Sequence, residues 1–88
     1  MANLTIREMA TGAETPVQEV DLSITNRQLI DQLIEGEVLK PLSDSEKSES
    51  MGYIMLKDGR ICDGVKPLKE LGFQDGGTIE IVKKAVGA

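Results

Sequence analysis

Ile24-Thr25-Asn26-Arg27-Gln28-Leu29-Ile30-Asp31-Gln32-Leu33-Ile34-Glu35-Gly36 is the stretch on which the fold turns. Thr25 is a good helix N-cap, and Gln28, three residues on, is spaced to reach back and complete a capping box. Ile24 before the cap and Leu29 at the fourth helical position are spaced for a hydrophobic staple. Leu29, Ile30, Leu33 and Ile34 then recur on one helical face, with Arg27, Asp31, Gln32 and Glu35 on the other. Either Gly36 ends the helix in a left-handed conformation, or the helix runs through Val38 until Pro41 stops it. The spacing predicts a helix from Asn26 to Gly36. A helix with one apolar stripe must bury that stripe against another layer.

The flanking sequence supplies that layer. Leu4-Thr5-Ile6-Arg7 alternates apolar and polar, the period of a half-buried strand. Residues 10–16 read as a turn, and Val17 to Leu22 returns to a strand pattern, with Pro16 weakening its start. Beyond the helix, residues 42–51 are polar and serine-rich, which predicts a mobile loop. Tyr53-Ile54-Met55-Leu56 is a continuous apolar run. Asp58-Gly59 then separates it from Ile61-Cys62, a strong hairpin signal. Pro67 is placed to open a short helical turn through Leu71, and Gly72 to close it. Thr78-Ile79-Glu80-Ile81-Val82-Lys83 alternates cleanly, with Ile79 and Ile81 on one side. A frayed tail is expected over residues 84–88. The order is strand, strand, helix, strand, short strand, helical turn, strand. One mixed sheet curved around the main helix accommodates it, an α+β architecture forming a single domain over residues 1–88.

Composition narrows the function. The chain has 88 residues, 40% of them apolar and nearly all of those aliphatic, with Tyr53 and Phe73 as the aromatic residues. Its formal net charge of −5 lacks the basic footprint of a nucleic-acid binder. It also opposes adhesion to an anionic membrane. No apolar run is long enough to span a bilayer, so no membrane insertion is expected. Cys62 is the one cysteine, so no internal disulfide forms. The N-terminal residues lack the basic and apolar regions of a signal peptide. A cytoplasmic location is the expectation by elimination.

Catalytic chemistry has little to draw on. The chain contains no histidine, so Cys62 cannot form a Cys–His pair. Asp44, Glu46 and Glu49 lack the ligand alternation and central glycine of a calcium loop. Asp75-Gly76-Gly77 opens a strand, whereas a phosphate cradle opens a helix. We expect no enzyme activity, no metal and no cofactor.

The element order resembles the ubiquitin-like β-grasp fold. The residues that carry the likeness are Asp58-Gly59-Arg60, Leu68, Leu71-Gly72-Phe73, Asp75-Gly76-Gly77 and Thr78-Ile79-Glu80-Ile81-Val82. Gly52-Tyr53, Leu71-Gly72 and Asp75-Gly76 make the chain most similar to small bacterial ubiquitin-like proteins of the EsaB/YukD kind, found with type VII secretion systems. That resemblance implies a central final strand and a non-enzymatic role in binding another protein, here as an accessory of a secretion machine. An alternative is a ubiquitin-like modifier or sulfur carrier acting through its C-terminus. Such proteins end in Gly-Gly, whereas this chain ends Gly87-Ala88, which weakens that reading.

The resemblance also implies a recognition patch on the sheet. Alternation turns Glu80 and Val82 away from the helix. In the run 53–56 one pair must face the core and the other solvent, and we take Tyr53 and Met55 as the outward pair. The expected patch is Tyr53, Met55 and Val82, rimmed by Lys57, Arg60 and Lys83.

Overall fold

The computed structural model describes residues 1–85. Five strands form one sheet in the order β2-β1-β5-β3-β4. The strands are β1 (Ala2–Glu8), β2 (Glu14–Val20), β3 (Met51–Lys57), β4 (Arg60–Ile61) and β5 (Thr78–Ala85). Helix α1 spans Asn26–Glu35 and helix α2 spans Asp44–Ser48. β1 and β5 run parallel side by side, with Ile6 beside Ile79, and the other strand pairs are antiparallel. This is the ubiquitin-like β-grasp architecture, with the final strand central as expected.

Strand alternation builds the core. Leu4, Ile6, Ile79 and Ile81 are all buried on one face of the sheet, and Leu29 and Leu33 of α1 pack into the same cluster. Ile30 and Ile34 lie half-buried at its margin. Full burial of each such aliphatic side chain contributes about 1.5–3 kcal/mol. Leu39, Leu68 and Phe73, from connections between the strands, close the cluster. Asn3 fastens β1 to the turn before β5. Its N–H donates to Asp75 Oδ1 at 2.7 Å, and its carbonyl accepts from the Gly76 N–H at 2.7 Å.

The predicted capping box is present. The Gln28 N–H donates to Thr25 Oγ1 at 3.1 Å, and the Thr25 N–H donates to Gln28 Oε1 at 2.9 Å. The helix end differs from expectation. Gly36 has φ −82°, and the left-handed position belongs to Glu37, at φ 63°. The Glu37 N–H then reaches the Ile34 carbonyl at 3.1 Å and the Val38 N–H reaches that of Leu33 at 2.8 Å. These two bonds are a Schellman motif, which sets the reversal one residue beyond the glycine.

Other boundaries also moved. The segment 42–51, expected as a loop, contains α2. Ser43 and Glu46 form a second capping box, with Asp44 and Glu46 in the first turn and Lys47 in the last, where each suits the helix dipole. β2 begins at Glu14 and includes Pro16, which an edge strand tolerates. Residues 67–72 make the hydrogen bonds of a single turn, closed by Gly72 at φ 92°, without becoming a helix. Lys84 and Ala85, expected to fray, extend β5 because Gly52 and Met51 pair with them. Asp58 and Gly59, at φ 52° and 80°, form the tight turn that their sequence demands.

Candidate protein-binding surface

Residues directly opposite one another in an antiparallel pair share a sheet face. Across β3 and β5, Met55 lies opposite Ile81, Tyr53 opposite Lys83, Ile54 opposite Val82 and Leu56 opposite Glu80. Ile81 must face α1, so the register carries Met55 into the core, where it is 2% exposed. Tyr53 follows it onto the same face. The expected outward pair is therefore corrected: Ile54 and Leu56 face away from the helix, and Tyr53 and Met55 face toward it.

The expected rim is corrected for the same reason. Lys57 lies on the Met55 face, and a side chain placed on Gly72 would come within 3.3 Å of Lys57 Cε. Its ammonium is 3.2 Å from Asp58. Arg60, paired with Lys57 across the hairpin, lines an open depression with Cys62, Asp63 and Lys66. Lys83 Nζ sits 2.8 Å from Glu46 Oε2 and 5.4 Å from the centre of the Tyr53 ring. The Tyr53 hydroxyl donates to the Lys40 carbonyl. Of the six residues expected to form the patch and its rim, Val82 is the one that the register sets on the outer face. Gly87 and Ala88, the residues of the alternative C-terminal reading, lie outside the described residues.

What the outer face does carry is a continuous apolar row. Ile54 and Val82 are half-buried against each other's strands, Leu56 lies next along β3, and Ile61 of β4 opposes Leu56. Ile61 is 47% exposed. Charged residues border the row. Arg7 lies beside Glu80 and pairs with Glu14 at 2.9 Å, and Lys84 lies opposite Gly52. Glu80 accepts a hydrogen bond from the Gly59 N–H at 3.0 Å, which draws its carboxylate toward the hairpin turn. Ile54, Leu56 and Ile61 were missed as site residues. The two-residue turn at Asp58-Gly59 already implied that Leu56 and Ile61 share a face. Their side of the sheet depended on the long-range register with β5.

No catalytic constellation gathers elsewhere among the described residues. Cys62 is half-buried, and burial pushes its thiol pKa up; Lys57 acts against this and Asp63 adds to it. A thiol held protonated is a poor nucleophile. No group of three or more His, Cys, Asp or Glu is placed to hold a metal ion among the described residues. No helix among them is long and apolar enough to cross a membrane.

The chain's fold is similar to that of the UBL domain of Plasmodium falciparum Dsk2, seen in its crystal structure. The two superpose with a TM-score of 0.67 at 22% sequence identity, over 94% of this chain and 97% of that one. No protein-family model matches the sequence, and no curated protein matches it.

Proposed function

We propose that this domain is a non-enzymatic protein-binding module and that it receives its partner on the outer face of the sheet. The observation that carries this reading is the apolar row of Ile54, Val82, Leu56 and Ile61, turned away from α1 and bordered by Arg7, Glu80 and Lys84. Nothing in the core requires apolar residues there. Apolar patches rimmed by charge are typical of protein contacts. The occupant is a folded protein that presents compact apolar side chains, with polar groups around them to meet the mixed rim. The likeness to a UBL domain supports a binding role.

The finer reading is an accessory component of a bacterial secretion machine. It rests on the resemblance carried by Gly52-Tyr53, Leu71-Gly72 and Asp75-Gly76.

The test is a pull-down from host extract with the immobilised domain, its Ile54→Lys/Val82→Lys variant, and a control bearing Lys at exposed Gln18 on the edge strand. The expected result is a partner retained by the wild type and the control and lost by the double variant, whose circular dichroism is unchanged. Equal retention by all three would remove the outer face as the binding surface. Recovery of a secretion component would support the finer reading, and a partner from an unrelated process would overturn it.

A further inference from the structure

The Glu46 carboxylate has two duties. Oε1 accepts the Ser43 N–H at 2.9 Å and completes the capping box that starts α2. Oε2 holds the Lys83 ammonium of β5 at 2.8 Å. Lys83 in turn stands over the Tyr53 ring, and Tyr53 donates to the Lys40 carbonyl just before this segment. α2 is five residues long and contributes no buried residue. A helix of that length does not hold itself, because nucleation costs more than one turn returns. Its order must come from contacts beyond it, and the charged one is Glu46 with Lys83.

We propose that residues 43–50 form a charge-gated flap, closed over the Tyr53 flank of β3 while Glu46 and Lys83 are both ionised. Loss of either charge releases α2 from β5 while the Glu46 oxygen on the Ser43 N–H remains, and without that docking a single capped turn does not hold. Acylation of the Lys83 amine by an acyl thioester is the chemical event that would open it at neutral pH: the ammonium loses a proton to solvent, the nitrogen displaces the thiol to form an uncharged amide, and the cation is gone. The outer face, on the other side of β3, plays no part in this device.

Limited trypsin digestion tests it, since nicking after Lys47 requires the flap to open, whereas nicking after Arg27 in α1 requires the domain to unfold. Lys83→Met and Glu46→Gln should raise the Lys47 nicking rate roughly two- to fivefold, on the scale of a lost surface ion pair. The Arg27 rate should stay as in the wild type. Lys83→Arg, which keeps the charge, should restore slow nicking. Glu46→Gln keeps an amide oxygen for the Ser43 N–H, so its effect reports the ion pair and not the cap. Glu46→Ala, which loses both contacts, should be fastest. Unchanged nicking in Lys83→Met and Glu46→Gln would overturn the proposal. So would equal acceleration at Arg27, which would mean that the pair supports the whole domain and gates nothing.

Discussion

Ile54 lies directly opposite Val82 on the face of the sheet turned away from α1, while its neighbour Met55 lies opposite Ile81 on the face turned toward it. Adjacent residues of β3 therefore have opposite sensitivities. Met55→Ala empties part of a packed core and should cost about 2–5 kcal/mol. Ile54→Ala should cost well under half of that, because its face stays open to water. Urea denaturation of the two variants checks the difference. Equal losses would mean that the assigned register is wrong.

Asn26 is the buried polar residue of the core, at 7% exposure. Its Nδ2 donates to the Gly64 carbonyl at 2.9 Å, and its Oδ1 accepts the Lys66 N–H at 3.2 Å. Its own N–H donates to the Lys66 carbonyl at 3.0 Å. Asn26→Ala would leave partners in the 64–66 connection unsatisfied. We expect a loss of about 1–3 kcal/mol, with the largest amide shifts at Gly64 to Lys66 in NMR spectra.

Glu37 holds the left-handed position that ends α1. A side chain there costs roughly 1–2 kcal/mol, against the extra unfolded-state freedom of a glycine. Glu37→Gly should therefore stabilise the domain by about 0.5–1 kcal/mol. Gly36→Ala should not stabilise it, because the added Cβ would lie 3.3 Å from the Gln32 carbonyl. Thermal melts of both variants decide the point.

The Lys83 ammonium holds the Glu46 carboxyl below its ordinary pKa, and the Ser43 N–H adds to that. A depressed carboxyl contributes stability that is present above its unfolded pKa and is lost as pH falls through the folded value. Lys83 is shifted upward, mainly by Glu46. Its contribution is complete below the ordinary lysine pKa and is lost only as pH rises through the higher folded value. The pair should thus be indifferent to pH near neutrality and fail first in acid. In a carbon-detected titration, Lys83→Met should move the Glu46 midpoint upward. An unmoved midpoint would place the ammonium away from that carboxylate in solution.

The sequence showed the architecture wherever the signal was local. Thr25 and Gln28 announced a capped helix, Asp58-Gly59 announced a tight turn, and the alternation through Ile79 and Ile81 announced a strand with one buried face. The run 53–56 failed because four apolar residues in succession contain no alternation. Which pair turned inward was decided by pairing with β5, far along the chain. α2 was obscured by composition: Ser43 and Glu46 form as good a capping box as Thr25 and Gln28, but no apolar stripe follows it. Gly36 drew the left-handed assignment that the hydrogen bonds gave to Glu37. The candidate surface inherited the error at β3, so only its Val82 survives on the proposed face.

Because Thr78–Ala85 supplies the ladder partners of both β1 and β3, the β1–β2 and β3–β4 hairpins share no ladder of their own. During synthesis, a ribosome-bound chain that has not reached residue 78 lacks the strand that joins the two hairpins, and a two-stranded ribbon alone is marginal in water. Its long-range pairing is made last, and until then the apolar β3 edge is open to misassociation. Truncation anywhere before that strand should leave an unfolded chain for quality-control proteases, not a smaller version of the domain.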